Sequence, residues 1–126
     1  MRTIKNFIVL ALFVLITTAC AKQKALPEMS VKQLKTAIKN DTSLVILDVR
    51  TPQELEGPLG QIDGVVNIPI QELESRINEL DKYKDRPIAV ICRTGHRSSK
   101  GTEILLEHGF KATNVEGGMT KFRADK

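Results

Sequence analysis

The stretch that decides the reading is "PIAVICRTGHRSSKG", Pro87–Gly101. A short apolar run stops at a cysteine, and two arginines, a histidine, a glycine and paired serines follow at once. "PIAVIC" (Pro87–Cys92) has the continuous apolarity of a strand buried on both faces. "RSSKGTEILLEHG" has Ile104, Leu105 and His108 near one helical face and Gly109 as a stop signal. A strand leading through a tight loop into a helix is half of a βαβ unit.

The same grammar extends outward. Ser30 precedes "VKQLKTAIKN" with Gln33 three residues on, a capping-box start, and Val31, Leu34, Ala37 and Ile38 share a helical face. "LVILDV" (Leu44–Val49) is a second buried strand. Thr51–Pro52 then opens a helical turn, with a capping hydroxyl ahead of a proline at the first helical position. "GPLGQIDG" is a glycine-rich loop and "VVNIP" a brief strand. "IQELESRINELDKY" places Leu73, Ile77 and Leu80 at helical spacing, and "TNV" with "EGGM" gives a last short strand and turn. Strands alternating with helices predict an α/β fold, a parallel sheet covered by helices on both faces. Ligands of such sheets bind beyond the carboxyl ends of the strands, where Cys92 and Asp48 fall.

The chain has 126 residues, enough for one small domain. It has no tryptophan and one tyrosine, so base stacking has little to work with. The net charge is +4, but Arg2 and Lys5 lie in a leading segment without acids, which leaves +2 for the remainder. Nucleic acid is therefore not an expected partner.

That leading segment, "MRTIKNFIVLALFVLITTAC", has a basic start, an apolar run over Phe7–Ile16, and then Thr17, Thr18 and Ala19 before Cys20. This is the layout of a secretory signal peptide over residues 1–19. An uncleaved membrane anchor is the alternative. The small residues ahead of Cys20 resemble a bacterial lipoprotein signal, although Thr17 stands where leucine is usual. The resemblance implies that Cys20 carries a lipid, that residues 20–28 are a lipidated cysteine and tether, and that residues 29–126 form an extracytoplasmic, membrane-anchored domain. Cys92 is then the free thiol of the mature chain. The competing reading is a Cys20–Cys92 disulfide, since extracytoplasmic compartments are oxidising.

A cysteine between a strand and a helix start has a particular electrostatic setting. Backbone N–H groups at the helix start point toward it, and a curled loop over residues 93–98 makes a concave anion nest. Arg93 and Arg97 add positive charge, and Gly95 permits the curvature. All of this favours the nucleophilic thiolate. Ser98 either bonds the sulfur or caps the helix. His96 is either a substrate contact or an exposed loop residue. A buried structural cysteine would explain Cys92 alone but not the residues after it. Arg97 is the expected site for an anionic group of a ligand. Asp48, Arg50 and Glu54 are read as scaffold, with Glu54 four residues beyond Arg50 and placed to pair with it. No cluster has metal-ligand spacing, so neither a metal nor another cofactor is expected.

Taken in order, "LDVRTPQEL", "DGVVNIP", "ICRTGHRSS" and "VEGGM" resemble the successive signatures of the rhodanese-like sulfurtransferase family, over about Met29 to Phe122. The resemblance implies about five parallel strands flanked by helices. It implies a persulfide on Cys92, cradled by Arg93, Thr94, Gly95, His96, Arg97 and Ser98. The partners it implies are a small anionic sulfur donor, such as thiosulfate, and a thiol or cyanide-type acceptor. Two positions depart from the family pattern: Gln61 stands where histidine is common, and Phe122 replaces a tryptophan. Related phosphatases place an arginine six residues after the cysteine. Here that residue is Ser98 and Arg97 comes one earlier, a shorter loop that suits sulfur better than phosphate. The reading from another class is a sulfur-carrier or redox-sensing binding protein without turnover.

Overall fold

The structure, a computed structural model, describes residues 24–126. Five strands form one all-parallel sheet: β1 (Glu28–Met29), β2 (Val45–Asp48), β3 (Val66–Asn67), β4 (Pro87–Ile91) and β5 (Lys111–Val115). Their order is β1-β5-β4-β2-β3, so β4 lies at the centre and β2 beside it. Among the described residues, four helices, α1 (Val31–Asn40), α2 (Pro52–Leu55), α3 (His96–Glu107) and α4 (Gly118–Ala124), accompany the sheet with two 3₁₀ segments.

The sheet sorts its side chains by alternation. Val45, Leu47, Val49, Ile88, Val90 and Cys92 face one way, into a core shared with Leu73, Leu80, Ile104 and Leu105. Ile46, Ala89 and Ile91 face the other way, against Val31, Leu34, Ile62 and Met119. Both faces are covered, which is why β2 and β4 are apolar at successive positions. The expected parallel α/β architecture is the one found.

Four local differences have physical causes. The first strand, Glu28–Met29, pairs with β5 and starts within the expected tether of residues 20–28; it is two residues long and carries no apolar pattern. The stretch around Leu73–Tyr83 forms 3₁₀ segments at Ile70–Glu72 and Ile77–Tyr83 in place of an α-helix. Ile77, Leu80 and Tyr83 recur every third residue, which suits three residues per turn. Beyond the expected turn at "EGGM", the chain continues into α4. In α1 the capping box forms as expected and Val31 and Leu34 are buried, but Ile38 is 40% exposed at the edge of the apolar face.

The expected signal peptide over residues 1–19, Cys20 and its lipid, and the start of the tether lie outside the described residues. Among the described residues, no helix is long and apolar enough to cross a membrane.

Candidate active site

Cys92 follows β4 directly, and the loop from it turns into α3, which begins at His96. Gly95 sits at the helix cap with φ of 110°, a left-handed conformation that side-chain-bearing residues rarely adopt. That geometry folds the loop back over the sulfur. The Gly95 N–H donates to Cys92 Sγ at 3.1 Å, and Ser98 Oγ lies 3.2 Å from the same sulfur. Ser98 therefore sits in the first turn of α3 on the sulfur and is not the helix cap. Its side chain is fully buried, and Cys92 is 1% exposed.

Burial alone pushes the Cys92 thiol up. Hydrogen bonds from the Ser98 hydroxyl and from the N–H groups of Ser98, Gly95 and Thr94 outweigh it, and the net effect lowers the thiol below its ordinary value. The loop is thus a nest that stabilises negative charge on sulfur.

A second element grips the loop from below. The Met119 N–H donates to Cys92 O at 2.8 Å and the Thr120 N–H to Arg93 O at 3.0 Å. Such contact requires Gly118, whose φ is +56° and where a Cβ would lie 2.5 Å from Cys92 O. Sequence reasoning missed this role of α4; the paired glycines of "EGGM" were its signal.

The arginines divide differently from expectation. Arg50 is fully buried and bound to Asp48, with Nη2 donating to Oδ2 at 2.7 Å and Nε to both carboxylate oxygens. Arg50 Nη2 also donates to Gly60 O at 2.8 Å, tying the end of β2 to the loop after α2. The expected Arg50–Glu54 side-chain pair does not form; Arg50 reaches only the Glu54 carbonyl, at 3.4 Å. The reason is that Asp48 is closer along the buried strand end and takes the guanidinium first. Glu54 pairs instead with Arg97, through two 2.7 Å bonds, one to each carboxylate oxygen. Arg97, expected to be available to an anionic donor, is thus already engaged. The Arg97 guanidinium holds the Glu54 carboxyl at about 2, well below the usual carboxylate range. Nothing in the sequence announces this pair, whose members are 43 positions apart.

Arg93, Thr94 and His96 are exposed. Arg93 takes part in none of the ion pairs among the described residues. It lines a groove of about 510 Å³ together with Glu54, Pro58, Leu59 and Thr120. Gln61 and Phe122 stand beside this region: Arg123 donates to Gln61 O at 2.9 Å, and Phe122 packs on the core face that holds Met119. Asn67, also missed, donates to both Asp48 O and Arg50 O and closes the end of β2.

The fold is a parallel sheet that presents a cysteine at the carboxyl end of its central strand, in a backbone nest that favours negative charge on sulfur. The chain belongs to the rhodanese family: the Rhodanese-like domain model matches residues 30–125. It is 41% identical over 96 residues to "Putative sulfur carrier protein YrkF" of Bacillus subtilis, covering 75% of this chain and 50% of that protein. The chain thus spans about half the length of that relative. Against "Putative sulfurtransferase YtwF" of the same organism, identity is 37% over 98 residues, covering 78% of this chain and 91% of that one. A rhodanese-related protein from Thermoplasma volcanium superposes with a TM-score of 0.70 at 34% identity, over 79% of this chain and 92% of the other.

Proposed function

We propose that this protein is a sulfurtransferase that moves sulfane sulfur through a Cys92 persulfide. The observation that carries the reading is the convergence of Ser98 Oγ and the Gly95 N–H on Cys92 Sγ. Those groups stabilise first the attacking thiolate and then the terminal sulfur of the persulfide. The Cys92 thiolate attacks the outer sulfur of an anionic donor such as thiosulfate. The donor's S–S bond breaks, sulfite leaves with the electron pair, and an S–S bond forms at Cys92. A thiol or cyanide then takes the outer sulfur and regenerates the thiolate. Neither a metal nor another cofactor is required by these steps.

Double displacement gives parallel lines when reciprocal initial rates are plotted against reciprocal thiosulfate concentration at several cyanide concentrations. Intersecting lines would reject the mechanism. A carrier role without turnover is the second reading, favoured by the 41% identity to a protein named as a sulfur carrier. Cys92 that loads with sulfur but passes it on to neither cyanide nor thiols would decide for it.

We further propose export and lipid anchoring at Cys20, on the strength of the residues before it. Globomycin should block processing of the precursor, and Cys20→Ser should abolish membrane retention. Membrane retention of Cys20→Ser with globomycin-insensitive processing would refute the anchor.

A further inference from the structure

We propose that Glu54 selects the sulfur donor: by neutralising Arg97 it biases the site against the dianion thiosulfate and toward monoanionic donors whose sulfane sulfur is carried on an organic group. The inference rests on the persulfide reading above and specifies its substrate class.

Three arginines lie near the loop, and two are spent on carboxylates of the chain itself. Asp48 takes Arg50 in a fully buried pair, and Glu54 takes Arg97 through both of its oxygens. Glu54 is also held by the start of its own helix. The Thr51 N–H and hydroxyl reach Glu54 Oε2 at 3.0 and 3.1 Å as part of the capping box that opens α2. The carboxylate is therefore anchored on α2 and does not depend on Arg97 for its position. A donor arriving at Arg97 meets a guanidinium whose charge is already matched and a fixed negative charge beside it. A second negative charge on the donor is penalised there, so the carboxylate acts as a repulsive element against one class of ligand.

The groove next to this pair favours the other class. Its volume is about 510 Å³, within the range of sites that hold organic molecules of drug size and far larger than an inorganic oxyanion needs. Pro58 and Leu59 give it apolar wall, and Arg93 gives it a cation free of ion pairs among the described residues. One negative charge and an organic body match that lining.

Thiosulfate and benzenethiosulfonate make a matched pair of probes. In both, the Cys92 thiolate attacks the terminal sulfur and the S–S bond breaks. Sulfite leaves from the first and benzenesulfinate from the second, each with the electron pair, and the same persulfide forms. They differ in charge and in the organic group. Glu54→Gln removes the charge while glutamine retains the capping-box bond. Wild type should show the higher kcat/KM with benzenethiosulfonate. In Glu54→Gln the KM for thiosulfate should fall about tenfold, while that for benzenethiosulfonate moves less than about threefold. Glu54→Asp, which keeps the charge, should retain the wild-type preference. Glu54→Ala makes the same charge change and carries the test if Glu54→Gln does not fold. A rise in the thiosulfate KM on removing the charge, or an equal change for both donors, overturns the proposal and leaves the persulfide reading standing. Failure of wild type to take sulfur from either donor overturns both.

Discussion

Arg97 and Glu54 meet in a bidentate pair, 2.7 Å at each of two contacts, and so join the first turn of α3 to the short helix α2. These helices follow β4 and β2, which are neighbours in the sheet. The pair spans the carboxyl ends of two adjacent strands and helps fix the loop that holds Cys92.

The first prediction concerns stability against pH. The folded Glu54 carboxyl sits at about 2, below its value in the unfolded chain. A depressed carboxylate contributes its stability in full above the unfolded value near 4.3 and loses it as pH falls through the folded value. With both partners about a third exposed, the contribution after solvent screening is about 1 to 2 kcal/mol. Urea unfolding of wild type and Glu54→Gln should differ by that amount at pH 7. The gap should shrink steadily between pH 4.3 and pH 2. A gap that is constant down to pH 2 contradicts the assignment.

The second concerns the thiol. Ser98→Ala removes a hydrogen bond to the sulfur, so the Cys92 thiol should titrate higher than in wild type when followed by thiolate absorbance. A hydrogen bond to a charged group is worth about 1.5 kcal/mol or more, so persulfide formation near neutral pH should slow about tenfold. An unchanged titration would mean that the backbone N–H groups alone hold the thiolate.

The third concerns the buried pair. Arg50 and Asp48 are 1% and 0% exposed at their side chains. Removing either partner strands a charge in the core, so Asp48→Ala or Arg50→Ala should each cost about 3 to 5 kcal/mol of unfolding free energy. The double variant should cost less than the two singles combined, because no lone charge remains. Additive losses would show that the pair is not coupled.

The fourth concerns Gly118. A Cβ there collides with Cys92 O and Arg93 O, at 2.5 and 2.6 Å, and both atoms are backbone. Gly118→Ala should displace the loop and abolish sulfur transfer. Gly64 also has a positive φ, +77°, but a Cβ there meets nothing within 4 Å. Gly64→Ala should cost only backbone strain, about 1 to 2 kcal/mol, with transfer unchanged. Retained transfer in Gly118→Ala would remove α4 from the account of the site.

The sequence made the central strands and the cysteine loop readable because their signals are local. β2 and β4 are buried on both faces, so continuous apolar runs mark them. The loop's cysteine, glycine and serine fall within one short stretch, Cys92 to Ser98, and the latter two reach the sulfur through a backbone N–H and a short side chain. What escaped was long-range or patternless. The strand Glu28–Met29 is two residues long and pairs with β5, and only Met29 packs on the core, too little apolar pattern to mark a strand. Helix α4 begins at a glycine pair that reads as a turn. The partner of Arg97 depends on β2 lying next to β4, which strand spacing alone does not give. The i,i+4 rule offered Arg50 for Glu54, but a buried Asp48 at the strand end outcompeted it.

The most direct test of the central claim is the intact mass of the protein after exposure to thiosulfate or benzenethiosulfonate and then to cyanide. The wild-type chain should gain the mass of one sulfur atom and lose it with cyanide, and Cys92→Ser should gain none. A wild-type mass that stays unchanged with both donors, or a sulfur gain that persists in Cys92→Ser, would contradict a Cys92 persulfide.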